Sequence, residues 1–128
     1  MEEMTLIRGI GTDIVEISRV EKAAARQAFR ERVYTEAERA YCESRGTQKI
    51  ASYAARFAGK EAVLKALGTG LRGGTLHDIE ILPDDLGAPQ VTLKGYFAVL
   101  ARRKSVSHVW VSLSHSREYA TAQCVMEG

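Results

Sequence analysis

Glu61 and Lys65 stand four residues apart in the stretch Arg56-Phe57-Ala58-Gly59-Lys60-Glu61-Ala62-Val63-Leu64-Lys65-Ala66-Leu67, which Gly68-Thr69-Gly70 closes. On a helix that spacing puts both on one face. Two chemistries fit the pair. One is an intrahelical ion pair in the favourable order, glutamate before lysine, contributing about a few tenths of a kcal/mol. The other is a carboxylate that holds a hard cation beside a lysine that holds phosphate. It needs a second carboxylate from elsewhere in the chain. Asp13 is the candidate, because it lies amid Ile10, Ile14, Val15 and Ile17. A turn in which Asp13 accepts from backbone amides is the competing reading.

The elements that must position these groups follow from local pattern. Tyr53, Phe57, Val63, Leu64 and Leu67 spread around more than about a third of the helix, and alanine fills most of the rest. Such a helix is largely buried. Its charges at Arg56, Lys60, Glu61 and Lys65 then need partners, a metal or a charged ligand. Gly68 is the expected left-handed residue past the helix end. Leu6 to Ile14 reads as a strand with Asp13 at its end. Gly9 and Gly11 within it mark close approach of another backbone or a ligand.

Ser18 and Glu21 form a capping box that opens a first helix, with an apolar face of Ile17, Val20, Ala24 and Ala28. Opposite it, Arg19, Lys22, Arg26 and Arg30 make a stripe of one sign. That stripe is either a solvated face or a dock for an acidic partner. Thr35 and Glu38 form a second capping box, opening a short helix that Gly46 ends, and Thr47 is placed as the cap of the long central helix. Thr75 to Leu82 alternates as a half-buried strand, with Ile79 and Ile81 on one face and Asp78 and Glu80 on the other. Pro83 to Gly87 is a turn, Gln90 to Leu93 a return strand, and Tyr96 to Arg103 a helix. His108 to Ser114 and Ala120 to Met126 are two further strands, with His115 where the first of them ends.

The 128 residues predict one domain, 1–128, able to bury about two thirds of its unfolded surface. A net charge of +2 is too small to argue for nucleic acid. Cys42 and Cys124 have neither metal-type spacing nor a disulfide framework, so reduced thiols in the cytoplasm are expected. A start with Glu2 and Glu3 lacks the features of a signal peptide, and no apolar run reaches membrane-spanning length. Gly68 to Gly74 carries no lysine–threonine pair of the P-loop kind. Ser114 and His115 are adjacent and no nucleophile elbow is present, which argues against Ser-His-Asp hydrolysis.

Three stretches stand in a telling order: Gly9-Ile10-Gly11-Thr12-Asp13-Ile14-Val15, then Arg56 to Ala62 with Lys65 and Gly68-Thr69-Gly70, then Ser112-Leu113-Ser114-His115-Ser116 with Tyr119-Ala120. Together they resemble the holo-acyl-carrier-protein synthases, the short bacterial class of 4′-phosphopantetheinyl transferases, over essentially the whole chain. The resemblance implies an α+β fold, a small antiparallel sheet packed on a long central helix. It implies transfer of the 4′-phosphopantetheine arm of coenzyme A to a serine of an acyl carrier protein. By position, Asp13 and Glu61 would bind Mg²⁺ and, with Lys65 on the pyrophosphate, form the catalytic set. Arg56, Gly68, Pro89 and His115 would join Lys65 in contacting coenzyme A. Arg19 matches the carrier-protein contact region, and the acidic helix of a carrier would suit Lys22, Arg26 and Arg30 as well. The resemblance further implies a cytoplasmic homotrimer with active sites between subunits, and Met1 to Met4 as a short extension. The base that takes the serine proton stays open between Glu61, a metal-bound water and His115.

Two other readings remain at this stage. Another metal-assisted phosphoryl transfer or pyrophosphate hydrolysis would use Asp13, Glu61 and Lys65 without needing the basic stripe. A non-catalytic module would bind acidic protein or nucleic acid through the stripe alone.

Overall fold

The structure is a computed structural model that describes residues 4–128. Glu2, Glu3 and all of the expected extension but Met4 lie outside the described residues. Helix α4 (Lys49–Leu67) is the element against which most others pack. Its Ala54, Ala55, Ala58, Ala62 and Ala66 and its Tyr53, Val63, Leu64 and Leu67 are buried. Gly68 ends it in the left-handed region, φ 75°, and donates its N–H to the Leu64 and Lys65 carbonyls. A side chain with a Cβ would be strained at that φ.

Strand β1 (Ile7–Glu16) lies along α4, with Gly9, Gly11, Asp13 and Val15 facing inward. The two glycines explain how close the elements come. A Cβ at Gly9 would collide with the Ala66 carbonyl oxygen, and one at Gly11 with that of Ala62. The approach expected from the glycines is therefore to the helix backbone. It presses the next inward position, Asp13, against the same helix. Asp13 is an interior residue of β1, three before its last, where the sequence had placed it at a strand end.

β1 pairs antiparallel with β5 (Tyr119–Glu127), and β5 with β4 (His108–His115), in the order β1-β5-β4. A separate hairpin joins β2 (Ile79–Pro83) to β3 (Pro89–Leu93). The α+β class and the antiparallel sheet on a long helix agree with expectation. The inner sheet face is apolar, with Ala120, Ala122, Cys124 and Met126 of β5 buried against α4 and its neighbours. Helix α5 (Gly95–Arg103) buries Phe97 and Ala101.

Four local expectations are corrected. The first helix, α1 (Ile17–Ala24), starts one residue before Ser18 and uses no side-chain cap. Its Ile17 N–H is satisfied instead by the Glu118 carbonyl from the β4–β5 turn, at 2.8 Å. Second, α1 does not continue through Arg30. Arg26 is extended (φ −91°, ψ 126°), and a new helix, α2 (Gln27–Val33), begins after it. The break turns Phe29 and Val33 inward in place of Ala28. Phe29 then stacks on Phe57 and meets Tyr34 edge-on, at ring separations of 6.1 and 6.2 Å. Burying those rings outweighs anything a methyl at Ala28 could contribute.

Third, the Thr35–Glu38 capping box opens α3 (Glu36–Glu43) as expected. Thr47, however, lies in a 3-10 turn (Gly46–Gln48), and α4 has no side-chain cap. Fourth, the segment before β2 is a 3-10 turn (Leu76–Asp78) rather than strand, because Asp78 accepts from the Thr75 N–H at 3.1 Å.

Candidate active site

The inward row of β1 and the last two turns of α4 bring Asp13, Glu61 and Lys65 together. Lys65 Nζ donates to Asp13 Oδ1 and to the Thr12 carbonyl, each at 2.9 Å. Of the two pairings open to Lys65, the structure shows the long-range one with Asp13, not the intrahelical one with Glu61. Asp13 Oδ2 is buried and has no hydrogen-bond partner. A buried carboxylate oxygen without a donor is costly, and its natural complement is a cation. Glu61 is half-buried. Burial, then the nearby Asp13 charge, raise its pKa above the ordinary 4.5, and Lys65 opposes that rise. Two carboxylates that repel one another beside an orphaned oxygen fit a hard divalent cation.

Among the described residues no group of three or more His, Cys, Asp or Glu side chains gathers as a metal site. Two carboxylates still suit Mg²⁺, which keeps several waters and commonly completes its shell with substrate phosphate. The residues present therefore fit that ion.

A cavity of about 450 Å³ begins at Ile14 and Val15, directly after Asp13 in sequence. Ala23, Phe29 and Phe57 line it further, so it is mostly apolar, with the charged side chains of Glu16 and Arg19 beside it. Lys22 and Arg26 are exposed near the α1–α2 break. Arg30 is already engaged, donating to the Ala24 carbonyl at the end of α1 at 2.6 Å. The four basic residues thus span two helices and the bend between them.

The remaining expected contacts lie on other elements. Arg56 is buried, donates to the Ile81 carbonyl at 3.0 Å and stacks over Tyr41 at 4.4 Å. His115 ends β4, exposed and two strands away from β1. Gly68 closes α4, and Pro89 opens β3 opposite Pro83.

One feature escaped the sequence. Lys60, next to Glu61, is fully buried, and its ammonium donates to Glu38 Oε1 at 2.7 Å, to the Leu76 carbonyl at 2.9 Å and to the Ile79 carbonyl. Desolvation lowers its pKa, and the Glu38 carboxylate opposes that. Glu38 also accepts from the Thr35 and Ile81 N–H groups. The node ties α3, α4 and β2 together behind the site. Glu38 was legible only as a cap residue. The signal for its second role was a lysine on the buried face of α4 with no partner within a helical turn.

A strand carboxylate, a helix carboxylate and an adjoining lysine, brought together where β1 packs on α4, are the kinds of group that metal-assisted phosphoryl transfer uses. The chain belongs to the 4′-phosphopantetheinyl transferase superfamily, whose family model matches residues 9–124. It is 43% identical to the holo-[acyl-carrier-protein] synthase of Fusobacterium nucleatum over 122 residues, covering 94% of this chain and 99% of that one. Among solved structures it resembles the holo-[acyl-carrier-protein] synthase of Neisseria meningitidis, with a TM-score of 0.87 and 34% identity over 96% of this chain and 100% of that one. It also resembles the Bacillus anthracis holo-(acyl-carrier-protein) synthase in complex with CoA (3′,5′-ADP), with a TM-score of 0.80 and 39% identity over 95% and 97% of the two chains.

Proposed function

We propose that Asp13 and Glu61 hold Mg²⁺, and Lys65 the pyrophosphate, in a phosphopantetheinyl transfer. The chain moves the 4′-phosphopantetheine arm of coenzyme A onto a serine hydroxyl of an apo acyl carrier protein, releasing adenosine 3′,5′-bisphosphate. This reaction activates the carrier for fatty acid biosynthesis. The observation that carries the residue assignment is the buried, unpartnered Asp13 Oδ2 beside the repelled carboxylate of Glu61.

In the transfer the serine oxygen forms a bond to the phosphorus that bears pantetheine. The bond from that phosphorus to the bridging oxygen breaks, and the serine proton is lost to a base. Bound Mg²⁺ would neutralise charge that builds on the pyrophosphate. Lys65, on an exposed stem four residues from Glu61, supplies a second positive charge to the leaving phosphate. Asp13 and Glu61 would hold the cation where β1 packs against α4.

The carrier protein is placed on the α1–α2 side, where Arg19 lies beside the mostly apolar cavity and Lys22 and Arg26 are free to meet acidic side chains. Arg56, Gly68, Pro89 and His115 are assigned to coenzyme A, with Pro89 and His115, on strands apart from Asp13 within one chain, reaching it from a neighbouring subunit. The proposed assembly is a homotrimer. Its support is the outer face of the three-stranded sheet, where exposed Ile10, Val125 and Trp110 stand side by side in register, with Ile14 nearby. Residues 1–128 act as one transferase domain. Its compartment is the cytoplasm, in keeping with the free thiols of Cys42 and Cys124. Among the described residues no helix is long and apolar enough to cross a membrane.

The test is turnover against Mg²⁺ concentration for the unaltered protein, Asp13→Ala and Glu61→Ala. Loss of at least about a hundredfold in kcat for both, with coenzyme A still bound, supports the assignment. Full activity in either variant contradicts it.

A further inference from the structure

Lys65 has a place in this site before any substrate arrives. Its ammonium bridges Asp13 Oδ1 and the Thr12 carbonyl, yet more than half of its side chain remains exposed. The charge is well held, while the stem that carries it faces solvent. Asp13 offers its first oxygen to Lys65 and leaves the second buried and bare. Glu61 lies four residues before Lys65 on the same helix, half-buried. The lysine therefore does the electrostatic work of a cation in the substrate-free protein. Two cations that need one carboxylate compete for it.

We propose that Lys65 is a displaceable counter-ion that guards Asp13, and that the pyrophosphate of coenzyme A draws it away and frees Asp13 for the divalent cation. This inference rests on the metal reading of Asp13 and Glu61 given above. It adds a binding order to that reading. The empty protein takes the cation weakly, and coenzyme A and cation strengthen one another by the same factor. A metal held firmly without coenzyme A would have no need of a mobile lysine. If Lys65 instead kept its place on Oδ1 while the cation used Oδ2 and Glu61, coenzyme A would release nothing.

The probe is Mn²⁺, an oxygen-seeking stand-in for Mg²⁺, with free Mn²⁺ read by electron paramagnetic resonance, without and with saturating coenzyme A. Lys65→Met is expected to bind Mn²⁺ about tenfold more tightly than the unaltered protein when coenzyme A is absent, the effect of removing one partly screened charge at close range. Its gain in Mn²⁺ affinity on adding coenzyme A is expected to be about tenfold smaller. Lys65→Gln repeats the measurement with a polar side chain. Lys49→Met makes the same change in net charge at the far end of α4 and is expected to change neither quantity. Lys65→Met binding no more tightly than the unaltered protein, or keeping its full coenzyme A response, overturns the inference while leaving the metal site standing. Mn²⁺ binding that persists in Asp13→Asn, or is missing from the unaltered protein even with coenzyme A, overturns the metal reading and the inference with it.

Discussion

Glu61 carries a pH signature that separates its chemistry from its contribution to stability. Burial and Asp13 raise its folded-state pKa above the ordinary 4.5. The fold thus favours the protonated form. The stabilisation this gives is complete below the unfolded pKa and is lost as pH rises through the raised folded value. The metal-free protein should therefore lose thermal stability as pH rises from about 4.5 through the raised folded value, and Glu61→Gln should flatten that part of the profile. Mg²⁺ with coenzyme A should restore the lost stability in the unaltered protein only. Thermal denaturation against pH, with and without both ligands, checks all three outcomes. At this scale Asp13, Glu61 and Lys65 were legible from residue type and spacing. The partner of Lys65 was not, because a helical i,i+4 neighbour and a strand residue 52 positions away both satisfy an ammonium, and only packing decides between them.

At the scale of elements the site depends on how closely β1 and α4 approach. Gly11→Ala would drive a methyl into the Ala62 carbonyl oxygen, a backbone atom that cannot rotate away. It should cost about 3 kcal/mol in urea denaturation and lower turnover by separating Asp13 from Glu61. The Lys60–Glu38 node should be equally sensitive. Lys60→Met leaves a fully buried carboxylate without its cation, a loss of about 3–5 kcal/mol, measured by the same denaturation. Capping pattern located the start of α3, and the close contact at Gly9 and Gly11 was legible as well. The α1–α2 break was not. A run of helix formers with basic residues at three- and four-residue spacing reads as one helix, and the gain from folding Phe29 onto Phe57 and Tyr34 is a tertiary effect. The 3-10 turn before β2 was hidden for a related reason. Asp78 alternates correctly for a strand, but its carboxylate takes the Thr75 N–H locally.

For the whole molecule, the exposed apolar row of Ile10, Val125 and Trp110 is too contiguous for a surface meant for water. Trp110 also donates its indole N–H to Glu127 at 2.7 Å, which ties the ring to the neighbouring strand β5. On the proposed assembly, Val125→Asp should give a monomer in light scattering and lower the affinity for coenzyme A, since the contacts assigned to Pro89 and His115 come from a neighbouring copy. A monomer with undiminished affinity would place the whole coenzyme A site within one chain.

The central claim is the transfer itself, and intact-mass spectrometry of an apo acyl carrier protein tests it most directly. The carrier is incubated with this protein, coenzyme A and Mg²⁺, with a matched sample in EDTA. The carrier should gain the mass of one phosphopantetheine arm with Mg²⁺ and none with EDTA. An unchanged mass for several folded apo carriers, with the transferase folded and assembled, would contradict it.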